Sequence, residues 1–164
     1  MSSAIASARW RAMLTAALAA SLVAALGALL TTLGPWYYQL RLPAWKPPDW
    51  LFGPAWTVIF ALTALSGYVS WTRPRPDRAL QARLLALFTM NGLLNLAWSL
   101  LFFRLQRPDW ALLEVGLLWL SIVGLIALSA RRSAVAAWLL VPYLAWVSFA
   151  AVLNASVVRL NQFG

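Results

Sequence analysis

The chain has 164 residues, of which 63% are hydrophobic and 10% are charged, and its formal net charge is +9. Soluble proteins carry about 25% charged residues, so this composition indicates an integral membrane protein and argues against a nucleic-acid partner. Because cysteine and histidine are both absent, we expect no disulfide framework, thiolate nucleophile, histidine-based catalysis, histidine-ligated haem or metal site.

Five apolar segments follow one another along the chain. They cover approximately residues 12–33, 52–72, 81–103, 110–130 and 134–157, with prolines, glycines and arginines at the breaks between them. Each has roughly the 20 residues that a helix needs to cross the hydrocarbon of a bilayer. We therefore predict an all-α membrane protein in which residues 1–164 form a single domain, a bundle of five transmembrane helices.

The first segment carries a stripe of small residues, because alanine recurs at Ala16, Ala20, Ala24 and Ala28. Such a stripe lets another helix approach closely, and it predicts packing within the bundle. Arg9 and Arg11 precede the segment and would also suit a signal peptide. Its apolar core is longer than the about 7–15 residues typical of such peptides, so we expect a retained helix.

The connection between the first two segments, residues 36–56, is rich in tryptophan and proline. It holds four of each: Trp36, Trp45, Trp50, Trp56, Pro43, Pro47, Pro48 and Pro54. Proline fixes φ and removes an amide donor, so this stretch cannot be one continuous helix. We predict a stiff aromatic loop at the mouth of the bundle that covers or lines a flat, apolar ligand.

The third segment places two amides and a ring on one helix face, since Asn91, Asn95 and Trp98 lie at i, i+4 and i+7. Amides in hydrocarbon must find partners. Two interpretations stay open: the asparagines hydrogen-bond between helices and hold the bundle together, or they anchor a ligand.

The fourth segment contains the only acid inside a predicted span, Glu114. It shares a helix face with Trp110, Leu117 and Ser121. An intramembrane acid is a functional candidate by default. The alternative is an ion pair at the membrane boundary with Arg104 or Arg107.

The fifth segment places Tyr143, Trp146, Ala150 and Asn154 on one face, and Pro142 could kink this helix. A small residue between aromatic ones favours a pocket wall, whereas anchoring at the interface explains Trp146 poorly. Flat rings stack on flat ligands and indole N–H groups donate hydrogen bonds. The expected ligand is large, planar and mainly apolar, with carboxylates that Arg41 or Lys46 could meet.

The distribution of basic residues favours a cytoplasmic N-terminus. In a five-helix topology the N-terminal side would hold Arg9, Arg11, Arg73, Arg75, Arg78, Arg83, Arg131 and Arg132, and the other side Arg41, Lys46, Arg104, Arg107 and Arg159. Eight basic residues against five follow the positive-inside rule. The aromatic loop would then lie on the non-cytoplasmic side.

Four motifs resemble the TspO/MBR family, the tryptophan-rich sensory proteins related to the mitochondrial translocator protein. They are W-Y-x-x-L-x-x-P-x-W-x-P-P-x-W-x-x-x-P-x-W at 36–56, N-x-x-x-N-x-x-W-x-x-x-F-F at 91–103, W-A-L at 110–112 and P-Y-L-x-W…L-N at 142–154. The resemblance spans essentially the whole chain. It implies a five-helix bundle whose first loop closes a cavity for porphyrins such as protoporphyrin IX, or for isoquinoline-carboxamide and benzodiazepine-type drugs, and it implies a homodimer.

Carried over by motif, the resemblance predicts a cavity lined by Trp36, Tyr37, Pro47, Trp50, Trp56, Asn91, Asn95, Trp98, Trp110, Leu117, Trp146, Ala150 and Leu153. The helix faces described above add Glu114 and Tyr143. Two departures matter. Ala155 follows the L-N pair, so the tyrosine of the animal cholesterol motif is missing and cholesterol recognition is in doubt. Leu42 stands where the family commonly has lysine, which Arg41 could replace.

Three functions compete. The first is a membrane receptor or sensor that binds porphyrins as ligands, not as cofactors, and moves or regulates them, with membrane lipid as its surroundings. The second is a light-dependent porphyrin-degrading enzyme that uses Trp50, Trp56 and Trp146, because no acid–base dyad or nucleophile for conventional catalysis is visible. The third is a transporter, which the lack of a detectable inverted repeat disfavours.

Overall fold

The computed structural model describes residues 2–73 and 77–163, and within these residues the chain forms helices and no strand. The helices are α1 (Ser2–Leu30), α2 (Pro35–Gln39), α3 (Phe52–Trp71), α4 (Arg78–Ser99), α5 (Pro108–Ala130), α6 (Ala134–Trp138) and α7 (Val141–Asn161). A 3-10 turn at Asp49–Leu51 leads into α3, and a π-helical segment at Leu100–Arg104 extends α4. Arg75, assigned above to the N-terminal side, lies outside the described residues.

Five stretches are long and apolar enough to cross a membrane. They are Ala6–Leu30, Asp49–Trp71, Arg78–Arg104, Pro108–Ala130 and Ala134–Asn161. The predicted five-helix transmembrane architecture is therefore confirmed, and the chain is a multi-pass integral membrane protein. The assignment of residues 1–164 to one domain stays a prediction.

The spanning helices follow one another around the bundle. α1 packs against α3 and α4, α4 packs against α5, and α5 packs against α7, while α6 returns the chain to α3. α5 contributes most to the core, with Ala111, Ile122 and Leu125 fully buried. α1 lies at the periphery, since none of its side chains from residue 6 onward is buried.

The alanine stripe of α1 faces the bundle, as its spacing predicts. Ala16, Ala20 and Ala24 are half-buried on a helix whose leucines are largely exposed. α4 meets this side of α1 through Gly92, where a Cβ atom would lie 3.2 Å from Cγ2 of Val23. The two backbones can therefore approach closely because both contribute small residues.

α1 ends at Leu30, earlier than the predicted end at residue 33. Pro35 disfavours a helical conformation in the residue before it and starts the short helix α2 instead. Arg104 donates a hydrogen bond to the carbonyl oxygen of Leu29 at 2.7 Å. This bond satisfies one of the carbonyls that the last turn of a helix leaves unpaired.

The last predicted segment, 134–157, is not one helix but two. α6 ends at Trp138, and α7 begins at Val141 and continues to Asn161. Pro142 accounts for the break, because proline lacks an amide donor and its ring clashes with the carbonyl four residues earlier, which is that of Trp138. The sequence predicted a kink, whereas in the structure the helix is interrupted between Trp138 and Val141.

Candidate functional site

A cavity of about 480 Å³ lies at the end of the bundle below the loop between α1 and α3. Its wall combines α1, α3, α4, α5 and α7 with the loop and the π-helical segment. The lining residues are Ala24, Gly27, Ala28, Thr31, Leu33, Tyr37, Leu42, Lys46, Asp49, Phe52, Gly53, Trp56, Thr57, Phe60, Asn95, Trp98, Ser99, Phe102, Phe103, Val115, Leu118, Trp146, Val147, Ala150, Leu153, Asn154 and Val157.

Eight aromatic side chains contribute to this wall, and several of them pack against one another. Trp98 stacks on Phe102 with ring centroids 5.2 Å apart, and one helix turn separates the stacked rings of Trp56 and Phe60, whose centroids lie 5.4 Å apart. Trp146 meets Phe52 edge-on at 5.6 Å. Because the rings brace one another, they present fixed flat surfaces to the space between them.

The loop is fastened to the bundle at two places. Tyr37 packs into a buried cluster with Phe102, Ala111 and Val157. At the end of α7, Asn161 accepts a hydrogen bond from the backbone amide of Arg41 at 2.8 Å and donates one to the carbonyl of Arg41 at 3.0 Å. Both contacts involve the end of α7, through Val157 and Asn161, so this helix holds the loop in place.

Lys46 and Asp49 are the only charged side chains among the described lining residues. The Lys46 ammonium donates to Oδ1 of Asp49 at 2.5 Å, and the Tyr37 hydroxyl donates to the same oxygen at 2.7 Å. Burial raises the pKa of the Tyr37 phenol well above its usual value, and the hydrogen bond to Asp49 raises it further. Tyr37 therefore remains a hydrogen-bond donor throughout the neutral range.

Small, exposed residues line the side of the cavity between α1 and α3. Ala28 on α1, Thr31 just beyond its end, and Gly53 and Thr57 on α3 line the cavity and are also exposed. Gly53 leaves this side unobstructed, since no atom lies within 4 Å of the place that its Cβ would take. This side of the cavity lies near the ends of two spanning helices.

Seven of the residues predicted to bind a ligand line the cavity: Tyr37, Trp56, Asn95, Trp98, Trp146, Ala150 and Leu153. They come from the loop and from α3, α4 and α7. The motifs thus place side chains from distant parts of the chain around one space.

The other predicted residues do not line the cavity: Trp36, Pro47, Trp50, Asn91, Trp110, Glu114, Leu117 and Tyr143. Trp50 and Leu117 are 71% and 58% exposed. Trp36 meets Phe102 edge-on, with ring centroids 6.1 Å apart, and Trp110 is exposed beneath the guanidinium of Arg107.

The buried asparagines of α4 belong to an interhelical network. Asn91 donates to the Ser121 hydroxyl on α5 at 2.8 Å, and the Tyr143 hydroxyl on α7 donates to Oδ1 of Asn91 at 3.2 Å. Asn95 donates to the Tyr143 hydroxyl at 3.3 Å, and it also lines the cavity. Asn91 therefore holds the helices together, while Asn95 could serve both purposes suggested by the sequence.

Glu114 is buried, and neither of its carboxylate oxygens has a hydrogen-bond partner. The ion pair expected as an alternative is not formed. Arg107 instead donates to Asp109, with Nε 2.8 Å from Oδ1, and Arg104 binds the end of α1.

Several lining residues were not among the predicted site residues. Phe52, Phe60 and Phe102 complete the aromatic wall, and Gly27 provides space on α1. Gly27 lies within the alanine stripe, so the low side-chain volume of that stripe was an available signal. Phe102 belongs to the motif at 91–103, which was also an available signal. Phe52 and Phe60 had none, because a phenylalanine in a membrane helix also suits contact with lipid.

Comparison with known proteins gives one consistent result. The sequence pattern of the TspO/MBR family matches residues 14–160. The chain is 41% identical over 157 residues to the tryptophan-rich protein TspO of Chlorobaculum tepidum, covering 90% of this chain and 96% of that protein. It is 33% identical over 127 residues to the translocator protein of Homo sapiens, covering 77% and 75%. It is 32% identical over 152 residues to the tryptophan-rich sensory protein of Cereibacter sphaeroides, covering 93% and 92%.

Proposed function

Because this chain belongs to the TspO/MBR family, we propose that it is a membrane receptor or sensor that binds porphyrins, such as protoporphyrin IX, and other planar hydrophobic ligands in its cavity. The observation that carries the proposal is the cavity wall, where Trp56, Trp98 and Trp146 enclose one space below the loop. Its volume of about 480 Å³ lies within the range of about 300–1,000 Å³ typical of small-molecule sites.

The chemistry of the wall supports a flat, mainly apolar ligand. Indole and phenyl faces stack on planar rings, and most of the surface that lines the cavity is apolar, although Asn95 and Ser99 also reach it. The buried Nε1 of Trp146 has no hydrogen-bond partner. It could donate to a polar edge of the ligand.

Titration of the detergent-purified protein with protoporphyrin IX in the dark tests this proposal. We expect saturable quenching of tryptophan fluorescence. Ala150→Trp fills the cavity from α7 and should weaken binding by about tenfold or more. Val152→Trp adds the same ring two residues away on a side chain that is 59% exposed, so it should bind like the wild type.

Circular dichroism and size-exclusion chromatography would first establish that both variants are folded. Wild-type affinity in the folded Ala150→Trp variant would contradict binding in this cavity. A lack of saturable quenching in the wild-type protein would contradict the ligand class.

Light-dependent porphyrin degradation is a second candidate, favoured by the position of two tryptophans. Trp56 and Trp146 line the cavity, so an excited porphyrin bound there would lie against oxidisable rings, with dioxygen as the oxidant. Trp50, the third tryptophan considered for this role, is 71% exposed and does not line the cavity.

Illumination of the porphyrin complex in air tests this second candidate. We expect loss of the porphyrin spectrum in the wild type and in Trp50→Phe, and much slower loss in the Trp56→Phe and Trp146→Phe double variant. Equal rates in all three proteins would identify the reaction as unspecific photobleaching.

We also propose a cytoplasmic N-terminus and a homodimer. The excess of basic residues on the N-terminal side supports the orientation. The homodimer follows from the family resemblance alone, and cross-linking in native membranes would test it.

A further inference from the structure

We propose that Lys46 recognises an acidic group of the ligand, and that Asp49 occupies this place on Lys46 when no such ligand is bound. The inference rests on the proposed function, because it assigns a specificity-determining residue within the same cavity. It concerns the end of the cavity nearest the loop, where the charges of the wall are concentrated.

The first observation concerns where charge is located in the cavity. Lys46 and Asp49 are the only charged residues among the described lining residues, and the space beyond them is bounded largely by rings and aliphatic side chains. A ligand with one polar edge would therefore be oriented, with that edge toward the loop and its apolar body among the tryptophans.

The second observation concerns the hydrogen bonds of the Lys46 ammonium. An ammonium group has three donors, and Lys46 uses two of them, on Oδ1 of Asp49 at 2.5 Å and on the carbonyl oxygen of Pro47 at 3.0 Å. The rings of Tyr37 and Phe52 lie 6.0 and 5.7 Å from its nitrogen and hold the ammonium against the wall. One donor remains for a ligand oxygen.

The third observation is that the side chains of Lys46 and Asp49 differ in exposure. The side chain of Lys46 is 12% exposed, whereas that of Asp49 is 36% exposed. A second carboxylate beside this pair would place two negative charges next to one positive charge. Asp49 can relieve the repulsion by turning toward water, whereas Lys46 stays in the wall. The ligand carboxylate then replaces Asp49, and the Tyr37 hydroxyl loses its acceptor.

Arg41 is the other basic residue of the loop, but its contacts differ from those of Lys46. Its backbone amide and carbonyl are both bound to Asn161, and it does not line the cavity. Arg41→Gln therefore removes the same charge as Lys46→Gln from the same loop and provides a matched control.

The test compares protoporphyrin IX with its dimethyl ester, which has the same ring and no acidic group. Dissociation constants would be measured by tryptophan quenching in the dark for the wild type and for Lys46→Gln, Asp49→Asn and Arg41→Gln. In Lys46→Gln we expect affinity for the diacid to fall by about tenfold, the scale of one charge-assisted hydrogen bond, with the affinity for the ester unchanged.

Asp49→Asn should act in the opposite direction, because it removes the competing carboxylate. We expect affinity for the diacid to rise severalfold, with no change for the ester. Arg41→Gln should match the wild type for both porphyrins.

The outcomes separate the two proposals. If both porphyrins bind and no variant changes their ratio, the inference is overturned and the proposed function stands. If Asp49→Asn weakens diacid binding, Asp49 is not a competitor and the inference is also overturned. If neither porphyrin binds to the wild type saturably, the proposed function fails and the inference fails with it.

Discussion

The hydroxyl of Tyr143 joins α7 to α4 within a network of three helices. That hydroxyl donates to Asn91 and accepts from Asn95, so α7 is bonded to two successive turns of α4, while Asn91 continues the network to α5 through Ser121. Polar groups in a membrane interior have no water to replace a lost partner. The network therefore fixes the rotation of α4 and α7 relative to each other.

Removing this hydroxyl should loosen the bundle without reshaping the cavity, since Tyr143 does not line it. We expect Tyr143→Phe to lower the free energy of unfolding by about 1–2 kcal/mol, because two buried amides lose a partner. Reversible unfolding in mixed micelles would measure the change. Tyr38→Phe, at a side chain that is 67% exposed, is the control. Equal stability of the two variants would contradict this role.

The loop between α1 and α3 depends on its neighbours for its shape. It holds only the short helix α2 and one 3-10 turn between the two spanning helices, so few of its backbone groups bond within it. Its outer half is held by the side chain of Asn161, which bonds both backbone groups of Arg41. One residue at the end of α7 thus stabilises an element more than a hundred positions earlier in the chain.

Trypsin can report on this attachment. Arg41 precedes Leu42 and is open to cleavage, whereas Lys46 precedes Pro47 and resists it. We expect Asn161→Ala to accelerate cleavage after Arg41 severalfold, because the released segment can adopt the extended conformation that proteases bind. Ser156→Ala also removes a side-chain hydrogen bond from α7, but one made to its own helix, so it should not change the rate. Unchanged cleavage in Asn161→Ala would show that other contacts hold the loop.

At the scale of the whole molecule, composition and the spacing of apolar segments were sufficient to predict five spans. The site was harder to predict, because residues that share a helix face differ in depth. Asn91 and Trp98 share a face, yet they are about 10 Å apart along the axis. Only Trp98 reaches the cavity, which occupies one end of the bundle.

Helix rotation explains the other differences. Trp110 and Leu117 point outward because α5 turns Ala111, Val115 and Leu118 toward the bundle. Glu114 and Ser121, predicted to share their face, are buried, so steps of three and four residues defined a face too wide to separate inside from outside. The motif at 36–56 predicted that the loop covers the cavity. It did not predict that Trp50 is exposed while Phe52 lines the wall.

The orientation of the bundle in the membrane is directly testable, because the wild type has no cysteine. Tyr38→Cys places a thiol in the loop, and Ala79→Cys places one at the start of α4, and both positions are exposed. With a cytoplasmic N-terminus, a membrane-impermeant maleimide should label Tyr38→Cys in spheroplasts and Ala79→Cys only after lysis. The reverse pattern would invert the topology.

The side of the cavity formed by Gly53 and Thr57 on α3, and by Ala28 and Thr31 at the end of α1, would determine which phase supplies the proposed ligand. It lies between two spanning helices, so a molecule dissolved in the bilayer meets it directly. The relevant concentration is then moles of ligand per mole of lipid. An apolar ligand diluted by added vesicles would dissociate from the protein even though its total amount in the sample is constant. Under the proposed function, the protein would respond to the ligand content of its own membrane.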